Sequence, residues 1–511
     1  MSRPTLHAAA RLLAVAGASA GLLAAGALTE KSATIGSRAT TTEAARIALA
    51  ESTLTCPGPE LVGIDGVDDV ATRPLIVADT APAAVLTAQA ITPTGTAPRG
   101  TAGLSAAPLA APGSVAGGRT STATAGEIAW RVPDDATTAV AVIATGTRAP
   151  GLVAAQESLV TDAPAAELGV RGLMSLACTP ATADAWLIGG GGGAGRQERL
   201  VLVNPGANPA TAVVSVHGVS TSATSVTGHS VTIAPYGRSS VLLDGLAPDE
   251  DAPAVHVDTR SGLVSATLVD TWVDGVTPRG IDATGPAAPE GLRQLIPAVA
   301  GPDPARVRIV ATGPDQALVQ VRLVTRDGRE PLPSGAGVVR VAGGATADVE
   351  IASLPSDVVG VEVVADAPVV AGAMLSRGVA GKTTDFAWVP ALPAIRGAAG
   401  TAFRPLSDGD ATATRTLSIV ASGGRAEGDV TLVAADGSTI VQRVRLDADT
   451  SATVDVSTAT AVWIAPVTGG GQLRAAVVTR LGSGADGRVT VRALTSARFT
   501  GRDLPVVQRR Q

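Results

Sequence analysis

The chain has 511 residues, only 16% of them charged, and a net charge of −6. That length exceeds what one hydrophobic core supports, so several domains are required. The weak negative charge, with Lys31 and Lys382 as the only lysines, excludes a nucleic-acid partner, whose phosphates demand clustered cations.

The first element reads MSRPTLHAAARLLAVAGASAGLLAAGALTE, in which Arg3 and Arg11 precede an uncharged apolar stretch, Leu12 to Thr29. This pattern predicts a signal peptide or membrane anchor over residues 1–29. As a helix the stretch spans roughly 27 Å at about 1.5 Å per residue, just under a ~30 Å hydrocarbon core. Cleavage and retention are therefore both open, with Ala25-Gly26-Ala27 as the cleavage sequence. The basic flank holds the N-terminus in the cytoplasm and sends the rest outward. The expected location is extracytoplasmic: secreted, or attached to the membrane through an uncleaved N-terminal helix. Residues 30–55 read as a spacer with a short helix at TTEAARIALAES, 41–52.

Beyond the spacer the chain repeats itself, and a missed repeat would misassign the fold. One copy carries RLVLVNPGANPATAVVSVHG, SVTIAPYGRSSVLLDGL and APAVHVDTRSGLVSATLVDTW. Matching segments follow twice, and a weaker copy precedes them. Val140, Val255, Val361 and Val462 occupy equivalent places at intervals of roughly 100 residues, one small domain each. Within a copy, apolar and β-branched residues alternate between Gly, Pro, Asn and Asp breaks, the pattern of half-buried strands. Asp327-Gly328 and Asp436-Gly437 mark hairpin turns. The expected fold is all-β: a tandem array of about four immunoglobulin-like β-sandwich modules after the N-terminal apolar helix, over 56–178, 179–299, 300–395 and 396–511. A β-propeller is the alternative, with each copy divided into two blades. An Ala, Thr, Gly and Pro-rich insertion, 92–125, reads as a mobile loop because it can bury little apolar surface.

Cys56 and Cys178 are the only cysteines, and in an exported protein such a pair predicts a disulfide. They sit at equivalent places before the first strands of two modules. A bond needs Cα atoms within about 7 Å, so either the first two modules fold back on each other or the chain enters and leaves the first module at one point.

Few residues suggest chemistry. The run Gly189–Gly193 with Ala194-Gly195-Arg196 imitates a phosphate-binding fingerprint, but it lies between two strands and lacks the helix that would hold a pyrophosphate. Gly381-Lys382-Thr383 lacks the first glycine of a phosphate loop. His217, His229 and His256 are the only histidines after the signal, all in one module, and bind a metal only if they converge. The one G-x-S-x-G match, around Ser19, lies in the apolar signal. Acidic clusters at Asp65, Asp68, Asp69, at Asp249, Glu250, Asp251 and at Asp408, Asp410 lack EF-hand spacing. Trp186, Trp272 and Trp388 fall near module junctions and are the candidate ligand or interface residues. No catalytic, cofactor or metal residue is assigned.

The CPGP sequence at Cys56, AWLIGGGGGAGRQERLVLVNPGANPATAVVSV from Ala185, APYGRSSVLL and VHVDTRSGLVSA together resemble an actinobacterial envelope family known as domain of unknown function 5719. The resemblance implies an extracytoplasmic protein with no established activity, often encoded beside a membrane glycosyltransferase. It thus points to an envelope protein such as that enzyme, or cell-wall glycan, as the partner. Three functions compete. The leading one is a non-catalytic envelope scaffold or partner-binding array, possible because stacked modules supply surface without buried chemistry. The others are a glycan-binding protein with grooves at module junctions and a carboxylate-dependent envelope polysaccharide enzyme.

Overall fold

The strand Arg196–Asn204 contains Leu200-Val201-Leu202-Val203, and all four side chains are buried. Successive side chains of a pleated strand point to opposite faces, so this strand is apolar on both. Leu200 and Leu202 share a core with Val214, Val255 and Leu268. Val201 and Val203 share a different one with Ala139, Ala141 and Ile281. A sheet covered on both faces follows, rather than the half-buried sheet that alternation predicts.

The computed structural model describes residues 49–500 except 65, 90–100, 112–119, 124–125, 134–135, 162–168, 222–225, 249, 302, 380–381 and 468. The N-terminal apolar helix, the spacer up to residue 48 and the G-x-S-x-G match lie outside the described residues. Among the described residues no helix is long and apolar enough to cross a membrane.

The described chain is all-β, with four repeats of eight strands. In the second repeat these are Asp184–Ile188, Arg196–Asn204, Ala210–His217, Gly228–Ile233, Gly237–Leu242, Ala254–Ser261, Ser265–Asp274 and Thr277–Thr284. Counted within the repeat, they form two antiparallel sheets of order 1-6-3-4 and 5-2-7-8, and the same two orders recur in the first and fourth repeats; in the third, whose fourth strand is split into Arg329–Pro331 and Val338–Val341, the same neighbours are joined in one eight-stranded sheet. The first strands of those repeats are Glu51–Cys56, Gly291–Pro297 and Ala399–Ala402; the eighth are Gly172–Ala177, Lys382–Pro390 and Arg488–Ala493. In the third repeat the sixth and seventh strands run together as Val358–Val379, pairing first with Gly291–Pro297 and Ala317–Thr325, then with Ala305–Ala311 and Lys382–Pro390. In the first two repeats Gly151 and Gly262, at φ 74° and 77°, turn the chain at this point. The third repeat has Ala365-Asp366-Ala367-Pro368 there, and the strand continues through a shift in register, from Val364 opposite Arg293 to Val369 opposite Gly291.

The two sheets of a repeat pack face to face. Their strand order is not that of an immunoglobulin domain. Each repeat also packs its 1-6-3-4 sheet on the 5-2-7-8 sheet of the next, through the cores holding Ala141 with Val269, Ile188 with Val370, and Leu295 with Val420. The fourth repeat then packs on the first, Trp463 and Ala398 joining Val77 and Val153. The sheets therefore close into a ring. A circular succession of four-stranded sheets is the propeller expectation, yet the second and sixth strands are exchanged between sheets, so no sheet consists of four consecutive strands. The eighth strands lie against one another about the centre, first repeat to second, second to third, third to fourth and fourth to first.

Three expectations need correction. The insertion 92–125 is not simply a loop: Gly103–Pro108 and Ser121–Ala123 are strands, and Leu104 and Ala106 are buried in the first repeat's core. Their small side chains still fit a pleated face, and the sixth strand supplies their hydrogen bonds. Glu51 and Ser52, placed in the short helix, begin a strand paired with Val140–Thr145. The third repeat starts at Gly291, ahead of residue 300, because Arg293 and Gln294 interrupt the apolar pattern of its first strand.

Cys56 and Cys178 form a disulfide with Cα atoms 4.5 Å apart. Thr55 and Thr179 beside them exchange backbone hydrogen bonds of 2.9 and 3.0 Å. The chain enters and leaves the first repeat at one point, the second of the two arrangements the sequence allowed.

Candidate functional site

All three candidate tryptophans gather where the second repeat meets the third. Trp186 lies in the first strand of the second repeat opposite His256 in the sixth. The rings stack at 4.4 Å, and His217 tilts against Trp186 at 4.9 Å. His217 bonds through Nδ1 to the Gly344 carbonyl at 2.8 Å, and His256 through Nε2 to Asp184. Burial holds the His217 imidazole below its usual pKa. These two histidines thus serve Trp186, while His229 lines a separate surface hollow beside Glu250. Among the described residues no three His, Cys, Asp or Glu gather as metal ligands; Asp65 and Asp249 lie outside them.

Trp388 is fully buried, with Nε1 donating to Asp270 Oδ2 at 2.7 Å. Two guanidinium groups flank this tryptophan's neighbourhood. Arg308 lies 5.1 Å over the Trp388 ring. It binds both oxygens of Asp348 at 2.9 Å and donates to the carbonyls of Gly189, Gly190 and Pro253. Arg196 sits 5.3 Å from the Trp272 ring and 5.1 Å from Phe386, and pairs with Asp270. The glycine run therefore wraps an arginine of the neighbouring repeat instead of a phosphate. A Cβ on Gly190 would lie 2.6 Å from Glu198 Cγ, and Gly190 has φ 86°. Gly191 N donates to Glu198 at 2.8 Å, and desolvation with nearby Asp270 pushes the Glu198 carboxyl up to about 8.

The central strands carry a second polar group that the sequence reading missed. Pairing places Gly172 opposite Val160, Gly280 opposite Trp272, Asp385 opposite Arg377 and Arg488 opposite Leu481, so these four are equivalent positions at the centre of the ring. A Cβ on Gly172 or Gly280 would lie 2.7 Å from Asp385 Oδ1. The two glycines make room for one carboxylate. Asp282 accepts from Trp388 N at 2.6 Å and from Thr490 Oγ1 at 3.1 Å. Burial raises Asp282 well above the usual carboxylate range and Asp385 to about 8. The one sequence sign of it was a charge bordering an apolar run, Asp385 before Phe386-Ala387-Trp388-Val389.

The CPGP segment is built into the first repeat's interior in the same manner. Gln156 Nε2 donates to the Gly58 carbonyl at 2.7 Å, and Gly58 N donates back to Gln156 Oε1 at 3.1 Å. Glu60, fully buried, accepts from Thr72, Gln156 and Ser158, and burial raises its pKa.

An open cleft of roughly 470 Å³ lies at the tryptophan junction, between Gly192, Gly193, Asp251 and Trp272 of the second repeat and Arg306 and Glu350 of the third. Of the sequence candidates, Trp272 alone lines it; Trp186 and Trp388 are packed inside.

No curated protein matches the chain. Among solved structures it pairs with a tetra-tandem repeat in the extending region of a large adhesion protein, at 12% identity over 88% of this chain and 99% of that one, with a TM-score of 0.09. So low a score carries no argument. A family model does match, over residues 128–457, from the fifth strand of the first repeat to just past the fifth of the fourth. The chain belongs to the family of unknown function DUF5719.

Proposed function

We propose that this protein is a non-catalytic extracytoplasmic component of the cell envelope, a ring of β-sandwiches that acts as a scaffold or partner-binding platform in envelope glycan assembly. The observation that supports this most is closure of the ring, with Trp463 of the fourth repeat packed against Val77 and Val153 of the first. Closure covers the sheets on both faces and turns a flexible string of repeats into a rigid frame that presents loops at fixed spacing. The buried charges serve the same end, since Arg308, Asp270 and Asp282 each bond to a neighbouring strand or repeat. The Cys56–Cys178 bond fits an oxidising compartment.

Crosslinking in intact cells, followed by fractionation and identification of the attached proteins, tests the reading. The expected result is recovery in the envelope fraction with an envelope protein attached, a membrane glycosyltransferase being the foremost candidate. Recovery in the cytoplasm with reduced cysteines would overturn it.

A further inference from the structure

We propose that the cleft between the second and third repeats binds a neutral or amino-bearing saccharide. Its volume, roughly 470 Å³, falls within the range of ligand pockets, about 300–1,000 Å³. Its lining combines what a sugar ring requires. Trp272 is half-buried and supplies an apolar surface for ring C–H groups. Arg196 holds that indole from within the fold at 5.3 Å and is itself fixed by Asp270, so the platform is pre-organised. Gly192 and Gly193 are exposed, and a side chain at Gly193 would meet nothing within 4 Å. A ring can therefore approach the main chain there.

The charges select the ligand. Asp251, Asp348 and Glu350 line the cleft with Arg196 and Arg306, and both guanidinium groups are already engaged, Arg196 by Asp270 and Glu198 and Arg306 by Glu350 and Asp348. Carboxylates only accept hydrogen bonds when ionised, so the ligand must bring donors, either hydroxyl or ammonium groups. Phosphates and uronic acids would be repelled. The walls come from two repeats, so the cleft exists only in the assembled ring.

Calorimetric titration of the full, disulfide-bonded protein against neutral, amino-bearing and uronic-acid oligosaccharides tests this. Saturable binding of a neutral or amino-bearing saccharide is expected, with no binding of the uronic-acid series. Asp251→Asn and Gly193→Trp should each weaken it at least ~10-fold with the melting temperature unchanged. The proposal is overturned if no saccharide binds at up to about 10 mM, if only acidic ones bind, or if both variants bind as the parent does. The scaffold reading is decided separately by crosslinking, so the two can fail independently.

Discussion

Asp385 in the third repeat accepts the backbone N–H of Leu173 in the first through Oδ2 at 3.3 Å, and the same oxygen accepts Val489 N of the fourth at 3.0 Å. One carboxyl group thereby ties three repeats together at the centre of the ring. It is fully buried.

The buried acids make stability depend on pH. Asp385 rises from 3.8 to about 8 and Asp282 rises well above 3.8, both chiefly through desolvation. The folded chain keeps these protons after the unfolded chain has lost them, so their contribution is complete below about pH 4 and declines as pH climbs toward 8. The expected slope is up to about 1.4 kcal/mol per pH unit for each group. Urea unfolding from pH 4 to 8 should show this decline, and Asp385→Asn should flatten it while keeping an acceptor for the amides. Parallel curves for the two proteins would refute the assignment.

Gly280→Ala should be costly, because its Cβ would meet Asp385 Oδ1 at 2.7 Å and Asp385 Cα at 3.0 Å, at φ 133°. A loss of about 2–4 kcal/mol is expected. Gly193→Ala, in open space, should fall within about 0.5 kcal/mol. Thermal melts that rank the two alike would contradict the packing at the centre.

Arg308→Ala removes a fully buried guanidinium, leaves three carbonyls without their donor and leaves Asp348 with Arg306 alone. The expected cost is about 3–5 kcal/mol. Arg260→Ala, which breaks an exposed pair with Asp258, should cost at most about 1 kcal/mol. Equal denaturation midpoints for the two variants would mean that the glycine run does not depend on the arginine it surrounds.

Replacing both Cys56 and Cys178 with Ser opens a loop of 122 residues. The chain-entropy relation sets the loss at about 4–5 kcal/mol. In the native protein neither thiol should react with a maleimide before reduction. Labelling at both positions without reductant would show that the bond does not form.

The repeats were legible because each strand announces itself locally, through β-branched residues between Gly, Asp and Pro turns. The cysteine pair was legible because a chain with only two cysteines offers a single pairing. Trp186, Trp272 and Trp388 could be assigned to a junction but not to the same junction. Asp282, Asp385 and Arg308 gave almost no signal. A single charge in an apolar strand looks alike whether it faces solvent or three other repeats, and its meaning lies in partners 100 or more residues away.

The sequence by itself therefore determined the all-β class, the fourfold repetition and the disulfide, since periodicity, turn chemistry and cysteine number are local properties. Only the tertiary structure decided that the sheets close into a ring, that the second and sixth strands trade places, and that the glycine run encloses Arg308. Leu200-Val201-Leu202-Val203 already carried two apolar faces. Nothing in a single strand states which neighbour covers each face, because burial is non-directional and is settled by the packing of the whole chain.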